Sequence, residues 1–343
     1  MALLEVRNLV KHFPISGSRR RVQAINDISF QIERGQTVAL VGESGSGKTT
    51  VGRCILGLVE PTSGTILFEG EPIGRRLNVR SPRLRGRLQM VFQEPAECLN
   101  PRMHVADILA EPLIYGGVAR AERERRVVEV AEQIGLPLSL LDRLPAELSA
   151  GLQQRVGIGR AIITRPDLVV FDEPTSALDP TARAEIVDLL QRLQAELGTA
   201  YLFISHDLST VRFLSDRVVV LYLGSIVEDG PAAPVFAAPG HPYSNGLLAS
   251  VLLPHPSLTS GTRLTLAGEI PSPIDLPPGC PLAGRCPFVE ERCRAAMPAP
   301  VSVGPLHDVF CINHEKVTSL GAVTDHAARF QEIVARVLDP ERA

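Results

Sequence analysis

Two stretches of this sequence carry residue types and spacings that could do chemistry. The first is Gly42-Glu43-Ser44-Gly45-Ser46-Gly47-Lys48-Thr49, which fits G-x-x-x-x-G-K-[ST], a pattern whose backbone cradles phosphates. Its glycines let the chain approach an anion without a Cβ clash. The loop N–H groups and the start of the following helix then point at the negative charge. Lys48 is placed to reach β- and γ-phosphates and Thr49 to bind Mg²⁺, with Thr50 next on the same helix. The second is Asp167-Leu168-Val169-Val170-Phe171-Asp172-Glu173-Pro174. An apolar run that ends in paired carboxylates calls for a cation nearby. Asp172 is expected to hold Mg²⁺ through water, and Glu173 to polarise an attacking water.

Other candidates read two ways. Gln93 ends the apolar run 88–92; it could touch the metal or the attacking water, or be a plain loop residue. His206 follows the buried run 200–204 and could contact a γ-phosphate or be structural. Ser149, with Gly151 beside it, suits a helix N-cap, and a capped helix start is equally an anion site. Asp179 before Pro180 is explained as N-cap and first helical residue. Phe13 could stack on an adenine ring or fill the core near a strand end.

These residues need a scaffold of strands and helices. The run 38–41 reads as a buried strand before the glycine loop, and 48–58 as the helix after it. Weak alternation in 3–7 and clear alternation in 24–32 predict a small antiparallel sheet. Short strands are expected at 65–68, 88–92, 200–204, 218–221 and 225–227. Between about 101 and 144, Val105, Ile108, Leu109 and Leu113, then Val127, Val130, Ala131 and Ile134, recur at helical spacing. This predicts a helical insertion, about 96–164 overall. A long helix is expected from Asp179 to about Leu197, and a helical turn near Val235-Phe236.

The bulk numbers narrow the class. A chain of 343 residues with 45% hydrophobic content suits one large domain plus an appendage. A net charge of −3 does not suggest general polyanion binding. The run Arg75, Arg76, Arg80, Arg83, Arg85 and Arg87 lacks interleaved aromatics, so a solvated face is preferred over a nucleic-acid surface. The start, Met-Ala-Leu-Leu-Glu-Val-Arg, lacks signal-peptide regions, and the uncharged stretch 241–262 carries Pro242, Pro254 and Pro256, which does not suit a membrane span. A cytoplasmic protein is expected, with any membrane link made through a partner.

Composition changes near Gly230: 15 of the 28 prolines lie from Pro231 to Pro305, so regular structure is expected to be sparse there. Cys280, Cys286, Cys293 and Cys311 form a C-x5-C-x6-C-x17-C array. In a reducing compartment four cysteines suggest a tetrathiolate site. Zinc sites usually open with closer pairs, and the wider spacing suits an iron–sulfur cluster better; four buried thiols without metal are the alternative. Cys54 and Cys98 suit small core positions. Ala327, Phe330, Ile333, Val334 and Val337 predict an amphipathic helix at about 323–338.

Taken in order, the glycine loop, Gln93, Leu148-Ser149-Ala150-Gly151-Leu152-Gln153-Gln154-Arg155, the acid-ended strand, Ser176-Ala177-Leu178-Asp179 and His206 resemble the ATP-binding subunit of an ABC transporter, over about residues 3–236. His241-Pro242-Tyr243, Gly268-Glu269-Ile270-Pro271-Ser272-Pro273, Gly279-Cys280 and Arg285-Cys286-Pro287, with Leu99-Asn100-Pro101-Arg102-Met103 and Ala110-Glu111-Pro112-Leu113, look like the oligopeptide and dipeptide importer subgroup. The resemblance implies an α/β fold: an ABC-type phosphate-loop ATPase core with a small antiparallel β subdomain, a helical insertion and a Cys-rich irregular C-terminal extension. The boundaries it suggests are 1–240, 241–320 and a C-terminal helix at 321–343.

It also implies roles. Glu173 matches the catalytic carboxylate, His206 the switch histidine, Gln93 the glutamine linking the site to the membrane partner, and Phe13 the adenine-stacking aromatic. Ser149 and Gly151 match residues that clamp the γ-phosphate of an ATP held by an opposite subunit, with Asp179 near the same junction. Implied cofactors are ATP, Mg²⁺ and, as in some relatives, a [4Fe-4S] cluster on the four cysteines, with Zn²⁺ as the alternative. Implied partners are two membrane permease subunits, a second ATP-binding subunit and an extracytoplasmic substrate-binding protein, with no nucleic acid, at the cytoplasmic face of the membrane. The family pattern Leu-Ser-Gly-Gly-Gln is altered here at Ala150 and Leu152, which tilts the second subunit towards a paralogue. Nickel or glutathione import, a soluble ABC-type ATPase on nucleic acid or ribosomes, and a non-enzymatic regulator are the competing readings.

Overall fold

A computed structural model describes residues 2–73, 84, 86–249, 264 and 266–320. The expected helix at 323–338 and Arg75, Arg76, Arg80, Arg83 and Arg85 lie outside them. The strands are β1 (Leu4–Pro14), β2 (Arg21–Ile32), β3 (Thr37–Val41), β4 (Ser63–Phe68), β5 (Glu71–Pro72), β6 (Leu88–Val91), β7 (Leu168–Asp172), β8 (Ala200–Ser205), β9 (Arg217–Tyr222), β10 (Ser225–Pro231), β11 (Val301–Gly304) and β12 (His307–Val309). The helices are α1 (Lys48–Ile55), α2 (Pro95–Cys98), α3 (Val105–Tyr115), α4 (Arg120–Gln133), α5 (Ala150–Ile162), α6 (Pro180–Leu197), α7 (Leu208–Leu214), α8 (Ala232–Ala237), α9 (Pro242–Ala249), α10 (Glu291–Ala295) and α11 (His314–Thr318). The chain divides into two compact units: 1–11, 27–40 and 48–215 form one; 12–26, 41–47 and 216–343 form the other.

In the first unit, β3, β8, β7 and β6 lie side by side, and β7 runs parallel to both β6 and β8. All five residues of β7 and all six of β8 are buried. Such unbroken apolar runs are what a strand covered on both faces requires. β1 and β4 pair antiparallel. The helix after the glycine loop ends at Ile55, short of the expected 58. Gly57 adopts φ 64°, and the Leu58 N–H returns to the Arg53 carbonyl at 2.9 Å, a left-handed cap that stops the helix. The apolar faces of α3 and α4 follow the expected spacing: Val105, Ile108, Leu109 and Leu113, then Val127, Val130 and Ala131, are buried. Arg87, its side chain 36% exposed, pairs its guanidinium with Glu69 and Asp167, each at 2.6 Å.

In the second unit, the strands run β11-β12-β10-β9. The proline-rich region is therefore not held by its cysteines alone, because β12 extends the β9–β10 hairpin through antiparallel pairing. Glu228 on β10 anchors this region. It is fully buried and accepts hydrogen bonds from the N–H groups of Gly240 (2.9 Å) and His241 (3.0 Å), and its carboxylate lies 2.9 Å from His307 Nε2 on β12. Burial pushes His241 down to about 4; the neutral ring lets its Nδ1 accept the Tyr243 N–H at 3.1 Å, at the first turn of α9. Removing one member of such a buried network leaves donors without acceptors. Glu228→Ala is expected to lower unfolding free energy by about 3 kcal/mol or more, read by urea denaturation followed by far-UV circular dichroism.

Candidate nucleotide site

In the first unit, β7 and β8 are in parallel register with Asp172 opposite Ile204. The chain therefore leaves both strands at the same end. That delivers Glu173 from one strand and His206 from its neighbour to one place, with Glu173 Oε2 2.8 Å from His206 Nδ1. The Glu173 side chain is 16% exposed and that of His206 59%, so the carboxylate sits inside and the imidazole faces solvent. Glu173 adopts φ 49°, a left-handed conformation disfavoured for a side chain with Cβ, and it persists only where the surroundings impose it. Here its N–H donates to the Ile204 carbonyl at 2.9 Å, and its own carbonyl accepts from Ser176 N–H and Oγ–H.

Asp172, 4% exposed, accepts a hydrogen bond from the Thr49 hydroxyl at 2.9 Å. Burial raises its carboxyl pKa, against the lowering effect of the Thr49 hydrogen bond, Arg53 and Lys48. Lys48 is 5% exposed at the first position of α1, where Thr50 follows half-buried. Two oxygen donors on a buried carboxylate and a hydroxyl suit Mg²⁺, a hard cation that usually keeps few protein ligands beside phosphates and waters. Mg²⁺ thus fits the residues present.

The glycine loop itself, 42–47, belongs to the second unit. A Cβ on Gly42 (φ 152°) would lie 2.2 Å from the Leu221 carbonyl oxygen, and one on Gly47 (φ 102°) 2.2 Å from that of Ala24. Glycine is required at both by backbone approach as well as by conformation. The Gly224 N–H donates to the Ser46 carbonyl at 3.0 Å, and Asn26 bridges the β9–β10 turn through the Leu223 carbonyl at 3.0 Å. Phe13 is half-buried near the end of β1. Glu43, at the head of the loop, gives its N–H to Tyr243 Oη at 2.7 Å.

The remaining candidates stand apart from these contacts. Gln93 is exposed just past β6. Ser149 caps α5, its Oγ accepting the Leu152 N–H at 3.4 Å, and Gly151 follows, where a Cβ would make only an ordinary contact with Ala182. Asp179 caps α6, accepting the N–H groups of Thr181 and Ala182 at 3.0 Å. Ser149 and Asp179 are both exposed. The sequence reading missed Tyr243 and Arg285 as neighbours of the loop; it singled out both stretches as subgroup marks, but nothing in their spacing pointed to residues some 200 positions upstream.

The four cysteines, in the second unit, line one cavity of about 20 Å³ with His241, Phe288 and Phe310. Burial pushes the Cys280 thiol up to about 11 and Cys311 to about 12, and raises Cys286. Among the described residues no group of three or more His, Cys, Asp or Glu is arranged to hold a metal ion. The expected [4Fe-4S] cluster therefore finds no support in this arrangement. The thiols do converge, but the space between them takes about one water-sized atom, and burial favours thiols over the thiolates that ligate metal. Cys54 is buried as expected, with its thiol pushed up to about 11, and Cys98 is half-buried.

Comparisons with known proteins give the following. The family described as ABC transporter matches residues 25–176, and that described as oligopeptide/dipeptide transporter, C-terminal region, matches 227–293. The chain is 43% identical over 311 residues, 90% of its own length and 97% of the relative's, to a peptide import ATP-binding protein of Brucella ovis. It is 41% identical over 318 residues, 90% of its length and 89% of the relative's, to a peptide ABC transporter ATP-binding protein of Sinorhizobium fredii. Among solved structures, cbiO1 of Clostridium perfringens, part of the ABC transporter complex cbiONQ, matches with TM-score 0.61 and 30% identity, over 68% of this chain and 90% of that one. A dimeric ATP-binding cassette in a post-hydrolysis state bound to ADP and phosphate matches with TM-score 0.59 and 27% identity, over 67% and 98%.

Gly47→Ala tests the cradle. The methyl must displace the Ala24 carbonyl or distort the loop. Binding of a fluorescent ATP analogue is expected to weaken at least tenfold, the equivalent of about 1.4 kcal/mol of strain, with the circular dichroism spectrum kept.

Proposed function

This chain belongs to the ABC transporter ATP-binding family, in the branch with the oligopeptide/dipeptide C-terminal region, and we propose the following division of labour among its residues. The protein is the ATP-hydrolysing subunit of a peptide importer and works with membrane permease subunits. The pairing of Glu173 with His206 beside the Thr49–Asp172 contact carries the assignment of roles. Gly42, Glu43, Ser44, Gly45, Ser46 and Gly47 wrap the phosphates with backbone N–H groups, Lys48 compensates the β- and γ-phosphate charge, and Thr50 supports the helix start. Thr49 and Asp172 hold Mg²⁺, which supplies charge stabilisation at the terminal phosphates. Glu173 accepts a proton from, and orients, the attacking water. His206 holds that carboxylate in place and senses the γ-phosphate, while Gln93 reports the state of the site to the permease. Phe13 stacks on the adenine.

The exposed caps Ser149 and Asp179, with Gly151, suit a second ATP-binding subunit that closes over this one. Two ATP molecules would lie between the pair, and closure would drive the permeases. Ala150 adds a methyl where the family usually has glycine, and Leu152 lacks glutamine's hydrogen-bonding groups. The partner ATPase is therefore a paralogue that compensates. Among the described residues no helix is long and apolar enough to cross a membrane; the permease subunits hold the ATPase at the membrane. We place it on the cytoplasmic face, with an extracytoplasmic substrate-binding protein delivering the peptide.

In the co-purified membrane complex, Glu173→Gln is expected to keep nucleotide binding and to lower ATP turnover about 100-fold or more, the usual range for a lost general base, while Lys48→Ala loses binding itself. Normal turnover in Glu173→Gln would remove the base assignment. Ala150→Gly combined with Leu152→Gln is expected to raise turnover of the complex, and an unchanged rate would show that the altered stretch is neutral. Stimulation of ATPase activity by dipeptides and longer peptides, set against glutathione and nickel, identifies the cargo.

A further inference from the structure

The C-terminal region reaches the head of the phosphate loop through two side chains that the family reading leaves without a task. Tyr243, fully buried at the start of α9, accepts the Glu43 N–H at 2.7 Å. Arg285, between Cys280 and Cys286, directs Nη1 to Glu43 Oε2 at 3.4 Å and to Tyr222 Oη at 3.3 Å. Its side chain is only 11% exposed, and its Nε is buried with no hydrogen-bond partner among the described residues. Tyr222 and Tyr243 pack with ring centroids 4.6 Å apart, and the Arg285 guanidinium lies 5.9 Å from the Tyr222 ring. The same region touches the β1–β2 hairpin that bears Phe13: the Gln23 N–H donates to the Pro273 carbonyl at 2.9 Å, and Arg20 pairs with Asp275 at 3.0 Å.

Physically, an anion-binding loop works only if its N–H groups are held in one direction before the anion arrives. A nearly buried guanidinium needs a counter-charge, and Glu43 supplies it. The Glu43 N–H, committed to Tyr243, fixes where the loop leaves β3. Both side chains reach the loop at Glu43.

We propose that Tyr243 and Arg285 are positioning residues for the phosphate loop, so that the cysteine-bearing region sets the affinity for ATP. This rests on the nucleotide reading above. Steady-state ATP hydrolysis by the complex and binding of a fluorescent ATP analogue to the full chain test it. Tyr243→Phe keeps the ring packing and removes only the acceptor; Arg285→Ala removes the counter-charge. Each is expected to raise KM for ATP and the analogue Kd about fivefold or more, the low end for loss of a charged or buried hydrogen bond, with kcat within about twofold. Arg285→Lys, which keeps a cation opposite Glu43, is expected to recover affinity to within about threefold. Arg292→Gln, which breaks an exposed pair with Glu290 in the same region, is expected to change neither constant. Unaltered KM and Kd in both Tyr243→Phe and Arg285→Ala would overturn the proposal, as would a loss of kcat at constant KM. Failure of the unaltered chain to bind the analogue would instead remove the nucleotide reading.

Discussion

The hydrogen bond from Thr49 to Asp172 joins the first turn of the helix after the glycine loop to the tip of a central strand. Its 2.9 Å length depends on α1 packing close to the sheet. Gly52 on that helix makes the approach possible: a Cβ there would meet Ile204 and Val170 at 3.0 Å. The helix that carries Lys48 and Thr49 is thereby held against the two parallel strands whose ends carry Asp172, Glu173 and His206. The Glu173–His206 pair arises beside that contact because β7 and β8 run parallel and in register. A slip of one residue would turn Asp172 to the other face.

Electrostatics follow from the same packing. Asp172 is buried and its carboxyl is biased towards the neutral form. A cation beside Asp172 would offset that bias, which agrees with the fit of Mg²⁺ to this pair. Glu173, one residue further on, is turned by its left-handed backbone out of the strand and towards His206. The backbone hydrogen bonds to Ile204 and Ser176 hold that strained conformation.

The C-terminal region is ordered by an interaction of another kind. Glu228, fully buried, gathers two backbone N–H groups and His307, and so ties β10 to the start of α9 and to β12. Tyr243 follows from this anchoring, since it stands at the first turn of the helix that Glu228 fixes. A region rich in proline thus gains its order from sheet extension and one buried carboxylate network, with the thiols converging beside it.

Much was legible in sequence because local physics wrote it there. The glycine spacing, the unbroken apolar run 168–171 with acids after it, Asp179 before Pro180, and the 3.6-residue apolar stripes of α3 and α4 each follow from short-range constraints on one segment. They sufficed to locate the strands and helices that carry these motifs, and with the ordered motif set they identified the family. Contacts between segments far apart in sequence were another matter. The cap that ends α1 at Ile55, the pairing of β12 with β10, the ion pairs of Arg87 and the approach of Tyr243 and Arg285 to Glu43 depend on which surfaces the folded chain brings together. The cysteine spacing likewise announced four thiols that meet, but the size of the space between them was set by packing. Sequence determined which groups could do chemistry, because residue type and spacing are local; tertiary structure decided which of them touch, because a contact made across 200 residues leaves no period in the chain.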